Sequence, residues 1–173
     1  MNDFSEKICL FIGRFQPFHT GHLMVVQGMA KSCAGVVIAV GSSQESDTKE
    51  NPFSFEERRE MIQRALQGKD LIPQFDITIV PVSDIPEDER WLDHVREKAG
   101  AFDVVWSGNA GVLALCRAKG VEVKEIKEVP GIDATDIRRM MMEDQAAWAE
   151  KVPREVAEYL KSIQGPERVR NLS

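Results

Sequence analysis

The chain is short of most residues that carry covalent or metal chemistry. Across 173 positions it has three cysteines, three histidines and one tyrosine, and aromatic residues make up only 7%. Cys9, Cys33 and Cys116 are odd in number and sit in apolar stretches without paired spacing. That pattern argues against disulfides and against zinc, and points to core filler. No apolar run approaches the roughly 20 residues needed to cross a bilayer, so no membrane association is expected. The opening Met1-Asn2-Asp3-Phe4-Ser5-Glu6 lacks the basic segment and apolar core of a secretory leader, which predicts a cytoplasmic protein. Positive charge is also scarce: 22 Lys and Arg against 28 Asp and Glu give a net charge of −6 and a pI near 5.2. Nucleic-acid binding normally demands a basic surface, so no nucleic-acid partner is expected.

Two nucleotide-binding signatures are missing as well. The chain contains neither the Gly-x-Gly-x-x-Gly of dinucleotide-binding domains nor the Gly-x-x-x-x-Gly-Lys-Ser/Thr of P-loops. Conventional dehydrogenases and P-loop kinases are thereby disfavoured. Near the motifs described next there is also no Ser or Cys nucleophile with a partner base and no carboxylate dyad.

What is present is concentrated in residues 13–22, Gly13-Arg14-Phe15-Gln16-Pro17-Phe18-His19-Thr20-Gly21-His22, directly after the apolar run Ile8 to Ile12. A helix starting near Thr20 would aim free N–H groups and the positive end of its dipole at the strand's carboxyl end, a seat for phosphate. His19 and His22, three apart, would share that helix end. Gly13 and Gly21 would let backbone approach a ligand, and Pro17 would stiffen the turn. Alone, a His-x-x-His pair also fits a metal half-site or a solvated helix start; the strand, glycines, proline and arginine around it favour the phosphate site.

Apolar β-type runs recur at Ile8 to Ile12, Val36 to Val40, Ile77 to Val82, Val104 to Trp106 and Val121 to Ile126. Helix-patterned stretches alternate with them near 21–33, 55–67, 88–99, 109–118, 134–143 and 153–163. This alternation predicts a Rossmann-like, doubly wound α/β fold: a parallel sheet of about five strands, flanking helices and a C-terminal helical segment. No repeat or linker divides the chain, so one domain over residues 1–173 is expected. The polar stretch Gly41 to Asn51 reads as a mobile loop on the same side as the histidines.

A second constellation lies at Ile132-Asp133-Ala134-Thr135-Asp136-Ile137-Arg138-Arg139. Asp133 is a good N-cap, and Thr135 and Arg138 fall on one face near a helix start, which gives a second phosphate cradle. A capped amphipathic helix with solvated arginines fits the same residues. Two such helix starts in one small domain suggest a polyphosphate held between them. The chemistry would then be positioning and charge stabilisation during attack on phosphorus.

With both motifs in view, the chain resembles the His-x-Gly-His nucleotidyltransferase superfamily and, within it, the compact archaeal-type nicotinamide-mononucleotide adenylyltransferases. The matching features run nearly end to end: residues 13–22, Gly41-Ser42, Asn51-Pro52-Phe53 with Glu57-Arg58, Trp91, Ser107-Gly108-Asn109, Ala134-Thr135 to Arg138-Arg139, and the tail Gly165 to Leu172. The resemblance implies that ATP and nicotinamide mononucleotide give NAD and pyrophosphate, with Mg2+ carried by the triphosphate rather than by a side-chain metal site. It assigns His19 and His22 to the triphosphate and the transition state, and Arg14, Thr135 and Arg138 to phosphates. Gly13, Phe15, Gln16 and Gly21 belong to the same nucleotide-binding signature, while Ser107, Gly108 and Asn109 receive adenosine at the fourth strand's end.

In this family Trp91 corresponds to the residue that stacks on nicotinamide, with Asp84 in the same substrate loop; from pattern alone Trp91 reads as a core anchor of its helix. The family also implies a homo-oligomer, with a hexamer as its form. Nicotinate mononucleotide or another phosphorylated acceptor fits the same signature, and so does a module that senses ATP or NAD without turnover. Asp133, Asp47 and Glu50 depart from the family pattern by placing acids near the phosphate sites, which weakens anion binding unless magnesium or Lys49 offsets them.

Overall fold

A computed structural model describes residues 4–172, so the first three residues of the leader reading, Met1 to Asp3, lie outside the described residues. Five parallel strands form one sheet: β1 (Phe4–Gly13), β2 (Cys33–Val40), β3 (Ile77–Pro81), β4 (Val104–Ser107) and β5 (Glu122–Glu125), in the order β3-β2-β1-β4-β5. Between them run α1 (Thr20–Ser32), α2 (Phe55–Gln67), α3 (Asp88–Ala99) and α4 (Ala110–Ala118). After the sheet come α5 (Ala134–Met142), a 3-10 turn at Ala146–Glu150, α6 (Arg154–Ser162) and α7 (Gly165–Asn171). The chain winds outward from β1 to β3, then returns to lay β4 on the other side of β1. The carboxyl ends of β1 and β4 therefore flank the switch point where open α/β sheets bind ligands.

Strand periodicity divides the core. Along β1, Cys9 and Phe11 face one layer while Leu10 faces the other, all buried. The first layer packs β1 and β2 under Leu23, Val26 and Met29 of α1, Met61 and Ile62 of α2, Ile137 of α5 and Leu160 of α6. The second packs Leu10, Val37 and Val105 under Leu92 and Val95 of α3 and Cys116 of α4. Each fully buried Leu or Ile side chain stabilises by roughly 1.5–3 kcal/mol. Burial on both faces explains why β1 and β2 read as continuous apolar runs. The sheet ends at β5, where Glu122 and Glu125 are exposed, a charged edge that discourages further strand pairing.

The structure overturns the reading of two cysteines. Cys9 and Cys33 form a disulfide across a sequence separation of 24, with Cα atoms 6.2 Å apart. The β1–α1–β2 crossover returns the start of β2 beside β1, a proximity that linear spacing does not display. Cys116 is a buried free thiol in the second layer. Strand β1 also starts earlier than the apolar run, at Phe4, which pairs with Cys33 ahead of a register shift before Ile8. Helix α7 occupies a tail in which no helix was expected. Pro166 sits in its first turn, Val169 is buried, and Arg168 reaches both carboxylate oxygens of Glu57 on α2, at 2.8 and 2.7 Å.

Candidate active site

Helix α1 begins with two histidines that cap each other. The His19 N–H donates to His22 Nδ1 at 3.1 Å, the His22 N–H donates to His19 Nδ1 at 3.3 Å, and the rings stack at 3.5 Å and 16°. Because each Nδ1 accepts, the proton of each neutral ring belongs on Nε2, which is left as a donor. Phe15, Phe18 and Phe11 surround His22 with ring centroids 4.8, 5.4 and 6.0 Å away. Burial, and secondarily the neighbouring His19, holds the His22 pKa well below the usual 6.5. Burial lowers His19 to about 4, opposed in part by Asp133. At neutral pH the pair is therefore uncharged. A Cβ on Gly21 would lie 3.1 Å from the His19 ring, so a larger residue there would push against the pair.

Above the histidines, at the carboxyl ends of β1 and β4, lies a cavity of about 510 Å³. Gly13, His19, Gly21 and His22 line it from the β1 side, Ser107, Gly108 and Asn109 from the β4 side, and Thr135 from α5. Gly108 closes on Ile126, whose carbonyl oxygen would sit 3.4 Å from an added Cβ. Ser107 Oγ accepts from the Asn109 N–H at 3.0 Å, and Asn109 Oδ1 accepts from the N–H groups of Gly111 and Val112 at 2.9 and 3.1 Å. The Asn109 side-chain oxygen is thus committed to capping α4. Asp133 does the same for α5, accepting from the Asp136 N–H at 2.8 Å.

The remaining candidates stand around this cavity rather than in its lining. Arg138 is nearly buried; its Nη1 donates to the Gln16 carbonyl at 2.8 Å and its Nη2 reaches Thr135 Oγ1 at 3.5 Å. Burial and the nearby Arg14 lower its pKa. Gln16 is 1% exposed, and its amide bonds Phe53 twice, donating to the carbonyl at 2.9 Å and accepting from the N–H at 3.0 Å. Its buried side chain therefore clamps the turn after β1 to the backbone of Phe53. The Phe15 ring packs edge-on against His22, and the Arg14 side chain is exposed.

Asp84 ties two loops together, accepting from Ser42 Oγ at 3.1 Å and Gln44 Nε2 at 2.9 Å. Trp91 lines a second cleft of about 420 Å³ with Asp88, Gly111, Val112 and Leu115. A residue that motif reading gave no individual role also emerges. Arg58 is fully buried on α2, and its place on the Met61, Ile62 and Ala65 stripe was the available signal. Among the described residues no group of three or more His, Cys, Asp or Glu side chains could hold a metal ion.

The parallel sheet, its switch point and the histidine-capped helix define a Rossmann-like nucleotidyltransferase, and the Cytidylyltransferase-like family profile matches residues 10–140. Within that class the chain belongs to the nicotinamide-nucleotide adenylyltransferase family. It is 42% identical to the nicotinamide-nucleotide adenylyltransferase of Thermococcus sibiricus over 166 residues, covering 95% of this chain and 88% of that protein. Against the Archaeoglobus fulgidus protein of the same name the identity is 38%, with 94% and 95% covered. Among solved structures, a bifunctional NMN adenylyltransferase/ADP ribose pyrophosphatase from Francisella tularensis superposes with a TM-score of 0.79 at 22% identity, over 96% of this chain. The chain spans only 52% of that protein. The same bifunctional protein complexed with AMP and a manganese ion superposes with a TM-score of 0.73 at 23% identity.

Proposed function

We propose that the protein transfers the adenylyl group of ATP to nicotinamide mononucleotide, giving NAD and pyrophosphate. An oxygen of the mononucleotide's 5′-phosphate attacks the α-phosphorus in line, and the bond from that phosphorus to the bridging oxygen breaks to release pyrophosphate. No covalent enzyme intermediate is required. The observation that carries this reading is the reciprocal capping of His19 and His22 at the start of α1, beneath the strand-end cavity. It supplies two neutral Nε2–H donors, held in place before substrate arrives, where charge grows on the phosphates. Thr135 and Arg138 hold the leaving pyrophosphate from the α5 side, Arg14 holds phosphate, and Gly108 gives adenosine its close backbone approach.

Magnesium enters as part of the MgATP substrate. Asp133 and Glu128 line the cavity, but no group of three or more His, Cys, Asp or Glu side chains among the described residues could hold a metal ion, so the metal's ligands come mainly from the phosphates. A cytoplasmic, single-domain homo-oligomer, hexameric in keeping with the family resemblance, completes the reading. No helix among the described residues is long and apolar enough to cross a membrane.

The deciding experiment mixes purified protein, MgATP and either nicotinamide or nicotinate mononucleotide, and follows dinucleotide and pyrophosphate by chromatography. Equimolar NAD and pyrophosphate from the first acceptor is the expected result, and a faster reaction with nicotinate mononucleotide reassigns the acceptor. MgATP binding without product from either acceptor overturns nicotinamide mononucleotide as the acceptor and moves the reading to another phosphorylated acceptor or to a sensing module.

A further inference from the structure

We propose that Arg58 is a positioning residue for the triphosphate site: it holds the turn after β1 and the loop after β2 at one fixed spacing and thereby aims Arg14. The proposal rests on the function given above and adds a residue to it.

Arg58 occupies the first turn of α2 on the helix's apolar face, where a Leu or Met would fill the core at no electrostatic cost. Its side chain is fully buried. The guanidinium makes four hydrogen bonds, all to carbonyl oxygens: Nε to Ser54 at 3.2 Å, Nη1 to Arg14 at 2.9 Å and to Gly41 at 2.8 Å, and Nη2 to Ser42 at 3.1 Å. A buried cation bonded only to neutral acceptors is expensive to keep. Burial, followed by the nearby Arg14, pushes the guanidinium down to about 10.

What that cation joins is the carboxyl edge of the sheet. Arg14 follows the last residue of β1, while Gly41 and Ser42 follow β2; the Gly41 N–H also donates to the Gly13 carbonyl at 2.8 Å. Ser42 continues the link by donating to Asp84, beyond β3. On the far side of the same turn, Arg138 donates to the Gln16 carbonyl. The Arg14–Gln16 turn is thus gripped at both ends by buried guanidiniums. Between the grips Phe15 adopts φ 53, a left-handed conformation that a bulky residue keeps only when its surroundings impose it. Arg14 stands exposed over this turn, and its charge opposes both Arg58 and Arg138. Three guanidiniums meet at one short turn; Glu56, Asp84 and Glu57 partly offset Arg58, and Glu50 and Asp133 partly offset Arg138, which leaves the exposed Arg14 as the guanidinium turned toward an incoming polyphosphate.

The test is Arg58→Lys in the full chain, with Met61→Ala, a core truncation on the same helix, as the control for lost stability. Lysine keeps the charge and loses the planar fork that spans several carbonyls. With matched losses in Tm, Arg58→Lys is expected to bind MgATP roughly tenfold more weakly by calorimetry without acceptor. Its kcat is expected to fall on the order of a hundredfold, as for a misplaced substrate contact. Met61→Ala keeps both within about twofold of wild type, since its truncation leaves the fork intact.

Binding and turnover near wild type in Arg58→Lys, or equal losses in Met61→Ala, overturn the proposal. Should Arg58→Lys not fold, the assigned Arg58 Nε–H resonance of the wild type serves instead. MgATP should shift it and slow its exchange more than about tenfold while leaving exposed Arg154 unchanged, and an unmoved Arg58 overturns the proposal. A wild type that binds MgATP but forms no dinucleotide overturns transfer to nicotinamide mononucleotide alone, and the binding comparison still decides Arg58. A wild type that binds no MgATP overturns both.

Discussion

His19 and His22 hold one another as a capping box, each ring nitrogen Nδ1 taking the other residue's backbone N–H, with ring centroids 3.5 Å apart. A capping box usually pairs Ser or Thr with Glu. Here the same geometry fixes the tautomer of two imidazoles and turns their remaining N–H groups into preset donors. On the proposed role, in which this donor meets charge that develops in the transition state, His22→Ala should lower kcat far more than it raises KM. Loss of one such donor costs about 3 kcal/mol, roughly a hundredfold in rate. Helix capping weakens too, by about 1 kcal/mol of stability. Steady-state kinetics at saturating MgATP provides the check, and near wild-type turnover removes His22 from the chemistry.

The same pair sets a pH dependence for stability. Both histidines have folded-state pKa values below their ordinary 6.5, His19 at about 4 and His22 well below its usual value, in each case chiefly through desolvation. Between pH 6.5 and about 4 the unfolded chain therefore binds more protons than the folded one. The folded state loses stability as pH falls through that window, and above 6.5 these groups add no slope. Each histidine contributes up to about 1.4 kcal/mol per pH unit. Urea midpoints measured from pH 7.5 to 4.5 should fall less steeply in a His19→Asn/His22→Asn double variant than in wild type. Parallel curves would mean that the imidazoles are not buried as neutral groups.

Cys9 and Cys33 tie β1 to the start of β2 toward the amino-terminal edge of the sheet, away from the Gly13 end that lines the cavity. Closing a chain separation of 24 residues stabilises by about 3 kcal/mol in the chain-entropy account. Non-reduced, denatured protein should titrate with one thiol, that of Cys116, and Cys33→Ser should lose about that much stability with kcat and KM unchanged. Three titratable thiols would show that the bond does not form in solution.

The legibility of these features tracks how local their causes are. Val36 to Val40 read as a strand because every one of those residues is buried, and the histidine pair read as a helix start because its partners lie within three residues. Val121 to Ile126 also read as a strand, from Val121, Val123 and Ile126, and pairing with Val104 to Ser107 holds it although Glu122, Lys124 and Glu125 are exposed. Gln16 read as part of the nucleotide-binding signature, and its amide also bonds the backbone of Phe53, 37 residues on, a partner no local pattern displays. Arg58 lacked an assigned role for the same reason: an arginine on a helix is exposed by default, and the carbonyls it serves come from two other loops. Helix α7 begins Gly165-Pro166, a pair that reads as a breaker, and it docks through Arg168 to Glu57, 111 residues away.

Trp91 is where sequence pattern and family resemblance part, and the structure sharpens the question. The ring is partly buried against the second core layer, as a helix anchor would be, and it also lines the cleft with Asp88, Val112 and Leu115. The start of α4 borders both, with Asn109 lining the histidine cavity and Gly111 the cleft. An acceptor lying over the α4 start could place its phosphate at the histidines and its ring against Trp91. Ring stacking contributes about 0.5–1.5 kcal/mol, so Trp91→Ala should weaken nicotinamide mononucleotide binding up to about tenfold while kcat changes less. Titration of intrinsic fluorescence should show quenching by the mononucleotide in wild type that is lost in the variant. Unchanged acceptor affinity with a lowered Tm would make Trp91 an anchor of α3 and move the ring-binding surface elsewhere.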